Sequence, residues 1–216
     1  MSINEVHDSS ITYSNRGYQI DQSTLDLFNG NNTFFQNNIT RNYCQANSAF
    51  GIGDGQGTSS IKYSIIDENY AQATICWADN KPIVYNSIVF INNTVSDLNS
   101  NYIGMFYCHS CSATFENCYI ANNKQNGLYL FGIWEPGSVT VSKSYIDATN
   151  PINEPDKQVK ITESKNVSLE FHLHSTELCP IGNYFVYIDD LNQMKTTNLR
   201  HGKVLRGSNI SLISKS

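Results

Sequence analysis

Apolar residues recur along this chain in short runs that fall at the same point of successive windows. Six windows open on a small residue, at Ser10, Thr33, Ser64, Ser87, Cys118 and Ser144, with separations of 23, 31, 23, 31 and 26 residues. A large apolar residue follows in each: Ile11, Phe34, Ile65, Ile88, Tyr119 and Tyr145. A second apolar or β-branched position comes next, at Thr12, Phe35, Ile66, Val89, Ile120 and Ile146. Three residues later stands Asn15, Asn38, Asn69, Asn92 or Asn123, with Thr149 in the last window. Self-similarity at this period predicts a stacked solenoid. Short β-branched and aromatic runs bounded by Asn predict strands and corners, with no helices. A second run opens at Ala49, Ala73, Gly104 and Gly127, and a third carries Ile61, Val84, Phe115 and Val141. The pattern therefore predicts an all-β, right-handed parallel β-helix solenoid with three short strands per coil and about six to seven coils.

Side chains alternate across a strand, so the small residue and the one two places later face the same way. Ser64 with Ile66, Ser87 with Val89, Cys118 with Ile120 and Ser144 with Ile146 are placed inward. The position between them faces out and is nonetheless large and apolar, which predicts a covered or adhesive outer row at Tyr119 and Tyr145. The column Asn38, Asn69, Asn92 and Asn123 falls at a corner, where Asn tolerates left-handed backbone and can bond its copy on the next turn. The best register runs over residues 8–150. Repeats are expected through 1–175, with Val159–Ile161 and Val167–Phe171 in one further coil, and a cap strand or irregular tail over 176–216.

Composition narrows the function. The net charge is -5, only 15% of residues are charged, and no Arg occurs from Asn42 to Leu199. Binders of nucleic acid need basic patches, so that class is set aside. No apolar run approaches the length of a membrane-spanning helix. The first residues, Met1 to Gly17, lack the apolar core of a signal peptide, so the chain reads as unexported or as a fragment of a longer one. The Asn-x-Ser/Thr sequons at Asn31, Asn38, Asn92, Asn166 and Asn209 are about as many as composition alone produces, so they carry no evidence of secretion.

At Phe115-Glu-Asn-Cys118-Tyr-Ile120-Ala-Asn-Asn123 and Phe35-Gln-Asn-Asn38 the chain resembles the repeat of the polymorphic outer membrane protein family. That repeat pairs a Phe-x-x-Asn element with a Gly-Gly-Ala-Ile-like strand. Ser48-Ala-Phe50, Ile103-Gly-Met105 and Asn126-Gly-Leu128 match the second element loosely, without the doubled Gly. The resemblance implies a surface-adhesin type of β-helix and an extracellular or cell-surface location.

Catalytic chemistry is sparse. Glycoside hydrolysis needs two carboxylates about 5–9.5 Å apart. Asp67 and Asp147 share a column but are separated by Phe90 and Ala121 in the expected alignment, about 14 Å at the strand spacing. Cys108-His109-Ser110-Cys111 and His172-Leu-His174 each supply too few ligands for zinc, so no metal or cofactor is expected. A local disulfide or structural thiol is the simpler reading of the former. Trp77 and Trp134 are read first as packing residues and second as sugar platforms. Two corners step 11 and 12 residues where others step four, so the extra residues Ile39–Ser48 and Asn93–Ile103 are expected as side-by-side loops on one face. Tyr43, Asn47, Asp97, Asn101 and Tyr102 are their candidate binding residues. The expected function is a non-enzymatic scaffold that binds a protein or glycan ligand; the alternative is a polysaccharide hydrolase or lyase.

Overall fold

The computed structural model describes residues 3–12, 25–44, 48–53, 57–96, 104–126, 129–134, 136–147, 152–154, 156–163, 168–174, 181–188 and 210–214. The chain is an all-β parallel solenoid. It enters through β1 (Ile3–His7), β2 (Ser10–Thr12) and β3 (Leu25–Phe28). The next turn holds β4 (Asn31–Phe35), β5 (Asn38–Thr40), β6 (Tyr43–Cys44) and β7 (Ser48–Gly53). The two after it hold β8 (Ser59–Lys62), β9 (Ile65–Asp67), β10 (Tyr70–Ala71) and β11 (Thr74–Asp79), then β12 (Ile83–Asn86), β13 (Val89–Ile91), β14 (Thr94–Val95) and β15 (Gly104–His109). Then come β16 (Ser112–Glu116), β17 (Tyr119–Ala121) and β18 (Tyr129–Trp134), and last β19 (Ser138–Ile146) and β20 (Val159–Glu163). About four turns are complete, fewer than the expected six to seven, because windows at both ends hold only part of a turn. No helix among the described residues is long and apolar enough to cross a membrane.

Strands stack one turn above another in three main ladders. The first ladder is β1-β4-β8-β12-β16-β19-β20, the second β2-β5-β9-β13-β17-β19, and the third β3-β7-β11-β15-β18. A fourth, β6-β10-β14, is two residues wide, so a full turn has four strands and not three. Two residues after an Asn carry no alternation to read, which hid this ladder from pattern analysis.

The register differs from the expected alignment. Along the second ladder Ser10 pairs with Asn38, Asn38 with Ile65, Ile65 with Val89, Val89 with Tyr119 and Tyr119 with Tyr145. The inward column one residue earlier is thus Ser9, Asn37, Ser64, Ile88, Cys118 and Ser144. Ser64, Cys118 and Ser144 stand where expected. Ser10 and Ser87 are each one residue off, and Thr33 lies in the first ladder opposite Ser60. The smallness of the side chain is not what defines this column; position just after the corner is. Val84 is likewise off by one: it is on the outer face, and Tyr85 takes the inward place between Ile61 and Phe115.

Three of the four corners in a turn bend on a residue with left-handed backbone. Asp8, Gln36, Tyr63, Ser87, Asn117 and Lys143, with φ of 48 to 54°, form the corner between the first and second ladders. Arg41, Glu68, Asn92 and Asn122, with φ of 52 to 57°, form the next. Asn29, Asn80 and Ser110 turn the third ladder back to the first. This conformation costs about 1–2 kcal/mol for a residue with a Cβ. Where the inward residue that follows such a corner is polar, as at Ser64 and Asn93, its side chain offsets this with hydrogen bonds.

The interior is apolar and aromatic between these polar columns. Tyr85 stacks on Phe115 at 4.4 Å, and Phe106 packs against Tyr85, Phe90, Phe115 and Phe131 at 4.2 to 5.7 Å. Each such pair adds about 0.5–1.5 kcal/mol beyond its buried area. Parallel stacking ends at β20. β21 (Ser168–His174) pairs antiparallel with β22 (Ile181–Ile188), which pairs antiparallel with β23 (Ile210–Ser214). Of the two runs expected to form a further coil, Val159–Ile161 lies in β20 and continues the first ladder, whereas Val167–Phe171 runs into β21, whose neighbour approaches by hairpin-like reversal instead of by another winding.

Candidate functional site

The Asn column is built from Asn42, Asn69, Asn93 and Asn123. Asn69 Oδ1 accepts the Asn42 backbone N–H at 3.1 Å and its Nδ2 at 3.0 Å, and Asn93 Oδ1 does the same for Asn69 at 3.0 Å. Asn123 Oδ1 accepts from Asn93 at 3.0 and 3.1 Å. Each of three Nδ2 groups also donates to a carbonyl one turn earlier in the wall: Asn69 to Ile39, Asn93 to Ile66 and Asn123 to Phe90, at 2.8 to 3.0 Å. Asn69 and Asn123 are members as expected. Asn38 and Asn92 are not: Asn38 begins β5, and Asn92 is the left-handed corner residue, donating from Nδ2 to Asp67 Oδ1 at 2.9 Å. The two roles expected of one Asn, bearing the corner and forming the ladder, fall on consecutive residues. All four ladder residues are buried, which makes this column architecture and not a ligand surface.

The first of the two expected loops is not a single insertion, and residues 97–103 of the second lie outside the described residues. Ile39 and Thr40 lie in β5 and Tyr43 and Cys44 in β6, so the first apparent insertion is produced by the shifted alignment. Tyr43 stacks on Tyr70 at 4.6 Å with an interplanar angle of 5°, and Tyr70 Oη donates to Ser96 Oγ at 2.6 Å. Asn47, Asp97, Asn101 and Tyr102 lie outside the described residues. The expected outer row at Tyr119 is buried, and Tyr119 stacks on Tyr145 at 5.0 Å. Burial pushes the Tyr119 hydroxyl up to about 12.

Asp67 lies opposite Ile91, Ile91 opposite Ala121, and Asp147 follows Ile146 in the same direction, its N–H bonded to Ile120 O. Three strand steps, about 14 Å, separate the two carboxylates, too far for one glycosidic bond. Ile91 fills the place assigned to Phe90, which faces inward. Burial raises the Asp67 carboxyl to about 6, against the lowering effect of the Asn92 bond.

The cysteines among the described residues divide in two. Cys108 and Cys111 form a disulfide across the corner at Ser110. Cys44, Cys76 and Cys118 are buried thiols outside any disulfide. Burial raises the Cys76 thiol well above its usual value and pushes Cys118 up to about 12, so both stay protonated and unreactive. Among the described residues no three His, Cys, Asp or Glu side chains are grouped to hold a metal ion.

The most distinctive exposed chemistry lies on the outer face of the third ladder. Cys76, Ala78, Phe106, Cys108, Phe131 and Ile133 point into the core, so the alternate residues Trp77, Asp79, Tyr107, His109 and Trp134 point out. Asp79, His109 and Trp134 are vertical neighbours on three consecutive turns. Corner bonds hold them in line: Asn80 N–H donates to His109 O at 2.9 Å and Ser110 N–H to Trp134 O at 3.0 Å. Gly137 is needed beside them, because a Cβ there would lie 2.8 Å from both Trp134 O and Ile133 Cγ2. His109 Nδ1 meets Asp79 Oδ1 at 2.5 Å. A carboxylate only accepts, so Nδ1 is the protonated ring nitrogen. The His109 ring stacks on Tyr107 at 6.5 Å and lies 6.1 Å from the Trp134 ring. Trp134 is 54% exposed, the His109 side chain 37% and the Asp79 side chain 11%. Sequence analysis singled out His109 and Trp134 separately and missed Asp79. The available signal was the repeated outward pair Trp77-x-Asp79 and Tyr107-x-His109, legible only once the register is known.

Comparison with known proteins finds no matching protein-family profile, no matching curated protein and no matching solved structure.

Proposed function

We propose that this chain is a non-catalytic solenoid scaffold, an interaction module whose ligand is a protein or a glycan. One contrast carries the reading. Interior polar side chains are committed to one another from turn to turn, whereas the outer row of the third ladder keeps a Trp more than half exposed beside a polar pair. Large exposed aromatics beside fixed hydrogen-bonding groups are the composition of binding surfaces. An extracellular or cell-surface setting, as in the polymorphic outer membrane protein family, is proposed from the Phe-x-x-Asn resemblance of the repeats.

One observation favours a second reading. An imidazole oriented by a carboxylate is also how a general base is held, so the Asp79–His109 pair keeps a carbohydrate-active enzyme in view. A single assay separates the two. The chain is incubated with neutral and acidic polysaccharides, and released reducing ends and unsaturated uronates are measured. The scaffold reading expects no product above a heat-unfolded control; product that disappears in His109→Ala would overturn it.

A further inference from the structure

We propose that the Asp79–His109–Trp134 row is a binding site for a neutral oligosaccharide lying along the solenoid axis. This rests on the scaffold reading above and assigns its ligand class.

The hydrogen-bonding inventory selects the ligand. The Asp79–His109 bond uses one carboxylate oxygen and the Nδ1–H. In the neutral imidazole this leaves Nε2 as an acceptor, and the second Asp79 oxygen is an acceptor too. The row therefore offers two neighbouring acceptors, His109 Nε2 at the surface and the Asp79 oxygen set deeper with its side chain 11% exposed, next to an exposed indole. A matching ligand presents adjacent donors and an apolar C–H face. Pyranosides do both: vicinal hydroxyls donate, and the axial C–H groups lie against an aromatic ring. Anionic sugars are disfavoured by the Asp79 carboxylate and by the chain's net charge of -5. Cations fit less well, because the partnered His109 Nδ1–H already occupies the carboxylate's near oxygen.

The dimensions agree with an oligosaccharide. Asp79, His109 and Trp134 are registered on successive turns, so the row extends about 10 Å at the strand spacing. That is longer than a single small solute needs. It is also preorganised: the corner bonds of Asn80 and Ser110 and the Cys108–Cys111 disulfide fix the backbone that carries all three side chains. Little conformational entropy is then lost on binding.

The test uses the full chain, with the Trp134 indole N–H followed by NMR. It is titrated at millimolar concentrations with cellotetraose, chitotetraose, mannotetraose and lactose, and with trigalacturonate and choline as charged comparators. At least one neutral saccharide should shift the Trp134 resonance saturably. Trp134→Ala should weaken that binding about tenfold or more, and Asp79→Asn and His109→Ala about tenfold each, the loss of one stacking or hydrogen-bond contribution. Trp134→Phe should retain most of it. Because Trp134 is exposed, its variants should unfold at the wild-type temperature, so a loss is not a folding defect. Saturable shifts by trigalacturonate or choline alone would overturn the assignment. So would no shift with any neutral saccharide, or unchanged affinity in Trp134→Ala. Those results leave the scaffold reading standing, whereas released reducing ends would overturn that reading and leave the site in place.

Discussion

Two corners of the same turn solve one problem with different chemistry. Both bend on a left-handed residue and both must satisfy the backbone N–H that follows. At the corner after the second ladder an amide does this from turn to turn: Asn42 links to Asn69, Asn69 to Asn93 and Asn93 to Asn123. At the corner before it the links are mixed. Asn37 Oδ1 accepts from Ser9 N at 2.8 Å, Ser64 Oγ from Asn37 N at 3.1 Å and Ser144 Oγ from Cys118 N at 2.9 Å, but Ile88 and Cys118 interrupt the series. An amide carries an acceptor and donors on one rigid group, so it bonds upward and downward at once. A hydroxyl here bonds one corner and then its own strand, as Ser64 does to Lys62 O and Ser144 to Ser142 O. The amide column is continuous and each member depends on its neighbours. The hydroxyl column is a set of separate links and tolerates an apolar residue between them.

Breaking the amide column should cost most. Asn93→Ala strands the Asn69 N–H and weakens the hold on Ile66 O in a fully buried place. At about 1–3 kcal/mol for each buried group left unpaired, chemical denaturation should show a loss of about 3 kcal/mol or more. Asn93→Ser should not rescue it, since one hydroxyl cannot span both directions. A loss under about 1 kcal/mol for either variant would mean the column is not cooperative.

The outer side of the same corner holds Asp67, and its effect is next in size. Its carboxyl titrates near 6 in the fold because burial opposes the charge, against an ordinary value of 3.8. A raised folded value contributes stability that is complete below about 3.8 and is lost as pH rises through about 6. Asp67→Asn should therefore gain on the order of 2 kcal/mol over wild type at pH 8 and little at pH 4. Urea unfolding of both proteins across this range measures the difference; a pH-independent gap would contradict the assignment.

The smallest effect sharpens the contrast from the other corner. Ser144→Ala removes one link between turns, to Cys118 N, along with the local bond to Ser142 O, and should cost about 1 kcal/mol. Combined with Asn93→Ala the losses should add, since the two columns share no partner. Thermal or urea unfolding of the double variant would expose any coupling between them.

Much of the architecture was legible in the residues. The period, the strand character and the inward pairs Ser64 with Ile66, Cys118 with Ile120 and Ser144 with Ile146 follow from alternation within a few residues. The errors share one cause. Ser87 matches Ser64 in residue type, and Asn92 matches Asn69, but the backbone ladder sets Ile88 opposite Ser64 and Asn93 opposite Asn69. A slip of one residue reverses which face a side chain takes. It also produced the first supposed loop. Corners built on Tyr63, Glu68, Arg41 or Lys143 carry no turn signature at all, since these types seldom adopt left-handed backbone and do so here under the constraint of the stack.

Local chemistry alone thus decided that this chain would form strands that wind, with small and apolar side chains alternating inward and Asn near the bends. Alternation and turn preference act over a handful of residues, within reach of inspection. Only the folded structure decided which residue sits over which, because that choice is made by hydrogen bonds between backbone groups 24 to 30 residues apart. The polar column in the wall and the Asp79, His109 and Trp134 row on the surface are both products of that stacking.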